Sequence, residues 1–255
     1  MTTVFFLFLV HLALGLMATL PFVPDGAGSS FFKFCSAAAA TMITAGLWLL
    51  VRRYGFHGPL SAVCGAFLAL TIAYNRARHF RWSRALRPLL ALSIVCGVAA
   101  VLLATPARAR ALVAAADLTS VLLLGAAASA MILGHWYLVV LDLPISALRR
   151  LTVLLVVGLL LRAAVVGVAL AAGDAGAYQD LRAVAAGLWS PDGVFVWMRL
   201  LFGLFGPLSL LWFIWKTVEI RSTQSATGIL YVQLFLVLSG ELLAKYLRVA
   251  AGFAL

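Results

Sequence analysis

Six ionisable side chains stand inside stretches that are otherwise apolar: His11, Asp117, Arg162, Arg199, Glu241 and Lys245. An imidazole near a carboxylate can accept and pass on protons close to neutral pH. Neighbouring arginines hold carboxylates ionised and favour anionic ligands. Glu241 and Lys245 are four residues apart, so on a helix they share one face and can pair. This set suits a quinol headgroup, which needs a hydrogen-bond partner at each oxygen and a route for two protons. It suits an organic anion in transit equally well, and an ion-pair network that only ties helices together has the same composition. Asp117 is followed 18 residues later by His135. That is five turns at about 3.6 residues per turn, so both leave one face of a helix, about 27 Å apart.

The elements that must position these groups are membrane spans. The chain has 255 residues, of which 65% are hydrophobic and 11% charged, with a mean hydropathy of +1.11. Soluble domains carry about 25% charged residues. The composition therefore predicts an all-α fold: one transmembrane domain over residues 1–255, a polytopic bundle of eight helices. The spans are expected at Val4–Phe22, Phe32–Val51, Leu60–Tyr74, Pro88–Thr105, Ala111–Leu141, Leu148–Ala172, Val194–Lys216 and Ala226–Ala250. Eight spans can divide into two four-helix halves, although no repeat of fixed period is visible. No segment between spans is long enough to build a soluble core, so redox chemistry needing a large cofactor domain belongs to a partner.

Cys35, Cys64 and Cys96 are far apart in apolar stretches, and no CxxC or CxxCH occurs, which leaves covalent haem and a dithiol redox pair without support. GxGxxG, GxxxxGK, HExxH and GxSxG are likewise absent. No metal site is expected. His57 falls in the loop Arg52–Pro59 and reads as solvated; His135, beside Trp136 and Tyr137, reads as structural. Residues 178–189 suit a short helix lying along the interface with Trp189 as anchor.

Charge placement gives the orientation. The segment Asn75–Arg87 carries Arg76, Arg78, Arg81, Arg84 and Arg87 with Phe80 and Trp82. Beside a membrane this is a topology signal meeting anionic headgroups, not a nucleic-acid surface. Of the lysines and arginines other than Arg162, Arg199 and Lys245, the side of the bilayer that receives this segment holds ten and the opposite side six. The richer side is expected to be cytoplasmic, with both termini outside. Under that topology the six buried ionisable groups converge in the outer half of the bilayer.

The first and last spans resemble a known family. VFFLFLVHLALG (Val4–Gly15) and ATGILYVQLFLVLSGELLAKYL (Ala226–Leu247) are similar to the corresponding spans of the membrane anchors of DMSO reductase and polysulfide reductase type enzymes. GELLAKYL is the most specific piece. The third and fourth spans do not carry that family's histidine and glutamate pattern. The resemblance implies eight helices, outside termini, a bacterial inner (cytoplasmic) membrane, and a quinol site at the outer face beside an iron-sulfur or cytochrome subunit. By it Gly240, Glu241 and Tyr246 match the closing motif. The expected function is a quinol-interacting membrane subunit of a respiratory redox complex, with menaquinone or ubiquinone as cofactor. The four histidines also permit haem b. In this reading His11 or Asp117 accepts a quinol proton and Glu241 relays it, while Arg162, Arg199, Lys245 and Tyr246 bind the headgroup. A small-molecule or ion transporter and a structural or assembly subunit are the alternatives.

Overall fold

The computed structural model describes residues 1–55, 58–105, 110–140, 143–172 and 189–253. The described residues form eight helices long and apolar enough to cross a membrane, with no strand among them. They are α1 (Thr2–Thr19), α2 (Gly28–Tyr54), α3 (Pro59–His79), α4 (Ser83–Leu103), α5 (Arg110–Trp136), α6 (Ser146–Ala172), α7 and α8 (Thr223–Ala251). Helix α7 is built from Pro191–Leu200, a π-helical turn Leu201–Phe205, and Gly206–Glu219. The chain is an all-α integral membrane protein.

Local sequence sets the ends. α2 stops at Gly55, whose φ of 78° suits glycine, and α8 stops at left-handed Gly252, whose N–H donates to the Arg248 carbonyl. α3 opens with Pro59, and α7 opens with Pro191 after Ser190, whose hydroxyl accepts from the Gly193 N–H. Within α7, Pro207 has no N–H to give the preceding turn, and the π-helical turn absorbs that defect.

Three boundaries differ from the sequence expectation. The third span is not short: it runs to His79, and α4 begins at Ser83, so the basic segment is two helix ends joined by Phe80–Trp82. Nothing between Asn75 and His79 breaks a helix, and alanine and arginine sustain one out of the apolar layer. The fifth span ends at Trp136 and not Leu141, in turns closed by the Tyr137 hydroxyl donating to the Pro144 carbonyl at 2.6 Å. Burial pushes the Tyr137 hydroxyl above its ordinary pKa. His57, Arg108 and Arg182, and residues 178–188 of the expected interfacial helix, lie outside the described residues; Trp189 is almost fully exposed.

The helices pack as two four-membered rings. In the first, α1 touches α2 and α4, and α3 bridges those two; in the second, α5 touches α6 and α8, and α7 bridges those. The rings meet where α1 packs on α5 and α8. Burial agrees: 72% of the first span and 61% of the fifth are interior, against 22–39% for the others. α1 and α5 run parallel, since His11 is level with Ser120, Gly15 with Gly125 and Thr19 with Ser129. α8 runs against α5, pairing Lys245 with Ser120 and Tyr231 with His135. The halves also share a turn. Arg81 and Arg221 both have φ of 58°, each inside the same set of backbone hydrogen bonds, linking α3 to α4 and α7 to α8. The two turns are alike in backbone geometry and in the arginine at the left-handed position. Exposed side chains along the spans, such as Val95, Trp212 and Phe235, are apolar and suit a lipid environment.

Candidate functional site

Six elements contribute to one buried polar network, which lies in the second ring and reaches the first through His11 and Thr105. Asp117 sits on the buried face of α5, where the Arg248 guanidinium donates to Oδ1 through Nη1 and the Thr105 hydroxyl donates to Oδ2 at 3.1 Å. Lys245 Nζ lies 3.7 Å and His11 Nε2 3.8 Å from the same carboxylate. One turn along α8, Glu241 is gripped side-on by Arg162, with Nε donating to Oε1 at 2.9 Å and Nη2 to Oε2 at 3.1 Å. Arg199 Nη2 donates to Oε1 at 3.1 Å, and Lys245 Nζ stands 3.8 Å from Oε2. Ser120 joins the two carboxylate centres: Lys245 donates to its hydroxyl at 2.9 Å, and His11 Nδ1 lies 3.4 Å from it. Arg162 Nη1 donates to the Ala116 carbonyl at 2.9 Å, fixing α6 to α5.

Close helix approaches make these reaches possible. A Cβ on Gly15 or Gly125 would run into the other's backbone, so α1 and α5 are in direct backbone contact one turn from His11. Gly203 and Gly240 bring α7 against α8 in the same way, and the Arg199 guanidinium lies against the bare Cα of Gly203. The π-helical turn follows Arg199 directly, a position where such turns often serve function.

The network therefore brings together six of the seven expected site residues: His11, Asp117, Arg162, Arg199, Glu241 and Lys245. Tyr246 points elsewhere, packing on Phe195 at 5.0 Å and lining an open apolar groove with Met1 and Phe5. Sequence reasoning missed Arg248, Thr105 and Ser120. Arg248 was findable, because Glu241, Lys245 and Arg248 follow the i, i+4, i+7 spacing of one helix face.

Among these residues four cations, Arg162, Arg199, Lys245 and Arg248, face two carboxylates. His11 Nε2 and Arg199 Nε and Nη1 have no hydrogen-bond partner among the described residues. A buried donor in that state costs about 1–3 kcal/mol, which favours an arriving acceptor.

An apolar cleft of about 750 Å³ opens between α4 and α5, lined by Ala99, Leu102, Leu103, Thr105, Ala111 and Ala114. Thr105 is its polar residue, and the same hydroxyl donates to Asp117. The cleft thus abuts the charged network through one hydrogen bond. Cys35 and Cys64 are buried singly, and no group of three or more His, Cys, Asp or Glu with metal-binding spacing occurs among the described residues. For haem, the described histidines do not pair. His11 engages Ser120, His79 packs edge-on to Phe80, and His135 meets the Tyr231 hydroxyl at 3.2 Å. His11 is level with Ser120, and Ser120 lies about 22 Å along α5 from His135 at ~1.5 Å per residue. One haem could not take both.

A scan against family models, a search of curated proteins and a search of solved structures each returned no match to this chain.

Proposed function

We infer that this chain is a quinone-interacting subunit of a membrane redox complex, and that the α4/α5 cleft is where the quinone binds. The observation carrying this reading is Thr105, a buried residue that lines the apolar cleft and whose hydroxyl lies 3.1 Å from Asp117 Oδ2 and 3.0 Å from the Val101 carbonyl. Long apolar walls suit an isoprenoid chain. The Thr105 oxygen accepts a hydrogen bond from a headgroup hydroxyl while it donates to Asp117. Asp117 lies 3.8 Å from the free nitrogen of His11, so a proton leaving the cleft has a carboxylate and then an imidazole ahead of it. A bound quinol supplies two electrons and two protons. In this reading the electrons pass to an iron-sulfur or cytochrome partner.

Among the described residues the network's cations outnumber its carboxylates, which favours a second reading, transport of an organic anion. One experiment separates the two. The complex is isolated gently from its native membrane, its quinone is extracted and quantified, and a reduced-minus-oxidised spectrum is recorded beside Ala114→Trp and Thr105→Val variants. Near-stoichiometric quinone, a redox partner, and loss of quinone when Ala114→Trp fills the cleft support the quinone reading. A colourless, quinone-free protein, or undiminished quinone in Ala114→Trp, overturns it and directs attention to anion uptake in liposomes.

A further inference from the structure

A second groove lies at the other end of the molecule, on the side that holds the α1–α2 and α3–α4 turns. It has a volume of about 410 Å³ and is lined by Phe22, Ser146, Arg149, Arg150, Val153 and Leu154. Phe22 belongs to the first ring and the remaining residues to α6 of the second, so the groove straddles the seam. Along α6 the lining repeats at one-turn steps: Ser146, then the two arginines, then Val153 and Leu154. Nearly all of the groove's surface is apolar, so Ser146, Arg149 and Arg150 line it through their carbon atoms, and both guanidinium-bearing residues are exposed beside it.

Both arginines are exposed, and neither is ion-paired with a carboxylate among the described residues. The nearby acid Glu219 is paired with Lys216 at 2.9 Å and is also within electrostatic reach of Arg149. The Arg149 guanidinium stands 5.5 Å from the ring centroid of Trp215 on α7, which restrains it in place at the groove mouth. Two adjacent cations in the first turn of α6 also oppose that helix's dipole, a cost that an anion beside them removes.

We propose that this groove binds an anionic phospholipid, with the phosphate on Ser146, Arg149 and Arg150 and one acyl chain along Phe22, Val153 and Leu154, bridging the two rings. Charge complementarity selects the headgroup, and the apolar wall at membrane depth selects a lipid over free phosphate. An apolar groove with exposed arginines beside it, on the arginine-rich face, suits such a lipid. The inference does not depend on the quinone reading.

The test uses the full chain in mixed phosphatidylglycerol and phosphatidylcholine vesicles, followed by detergent extraction and native mass spectrometry of retained lipid. The unmodified chain is expected to retain one phosphatidylglycerol selectively. Arg149→Gln with Arg150→Gln is expected to weaken that retention about 30-fold, from the attraction two surface arginines contribute. Val153→Trp keeps both cations but fills the groove, and is expected to lose the lipid as well. Arg84→Gln with Arg87→Gln, a basic pair on the same side, is expected to change nothing. Full retention in Val153→Trp, equal loss in the Arg84/Arg87 pair, or displacement by inorganic phosphate would each overturn the proposal. If the Arg149/Arg150 variant does not assemble, Val153→Trp and the control pair still decide.

Discussion

At the scale of residues, the sign of the buried charge makes a prediction that a neutral network would not. Replacing Glu241 by Gln strands Arg162 and Arg199 in the interior, and breaking a buried pair in that way costs about 3–5 kcal/mol. Replacing Arg199 by Met removes one of four cations from a site with two carboxylates and leaves Glu241 gripped side-on by Arg162. Thermal unfolding in detergent should therefore show Glu241→Gln as clearly the more damaging of the two; the reverse order would refute a cation excess. Asp117→Asn belongs with the destabilising class, because it deprives Arg248 and Lys245 of their common partner. Thr105→Val is the cleaner probe of function, since it deletes one hydroxyl at constant shape, and it should lower quinone occupancy while shifting stability by only about 1 kcal/mol.

Much of this site was legible because an ionisable group in an apolar run has few roles open to it. Glu241 and Lys245 declared themselves by spacing. Arg248 lies one further step along the same face, but its place at the helix end made it look like a topology charge. Thr105 stands before Pro106 and reads as the end of a span, and Ser120 looks like any small polar residue in a helix. Neither type is informative until its partner is known. Tyr246 follows Lys245 directly and so faces away from it by the geometry of a helix.

At the scale of elements, the eight spans followed from hydropathy, while their ends depended on chemistry that hydropathy does not register. Arg76 and Arg78 lower the apolar average without ending α3, because a helix is indifferent to charge once its side chains reach water. The π-helical turn in α7 was hidden because Gly203, Gly206 and Pro207 mark a defect without saying how it is absorbed. The crossing of α1 on α5 offers a direct test. Gly125→Leu must push the two backbones apart and draw His11 away from Ser120, with overpacking worth about 1–3 kcal/mol or more. Gly228→Ala on α8 meets no atom within 4 Å and should be neutral or stabilise by about 0.5–1 kcal/mol. Unfolding of the two variants side by side measures the crossing; an equal response would mean that the Gly15–Gly125 contact does not hold the rings together.

At the scale of the whole molecule, two kinds of information combine to orient it. Contacts fix which residues share a side. Asp25 in the turn after α1 meets Arg78 at the end of α3 at 3.2 Å, and the Ala27 carbonyl accepts from Trp136 at the end of α5. On the opposite side, the Thr3 hydroxyl lies 3.4 Å from that of Tyr54, placing the start of α1 beside the end of α2. Arginine and lysine counts make the first of these sides the proposed cytoplasmic one. Two glycines with open space around them report on this without disturbing the fold: Gly26 on the Asp25 side and Gly58 on the Thr3 side. In a chain whose native cysteines are replaced, Gly58→Cys should react with a membrane-impermeant maleimide in intact cells, and Gly26→Cys only after permeabilisation. The opposite pattern would invert the molecule. It would place the Asp117–Glu241 network and the α4/α5 cleft in the inner half of the bilayer, so that under the proposed quinone reading protons passed through His11 would leave on the cytoplasmic side and the proposed redox partner would dock there.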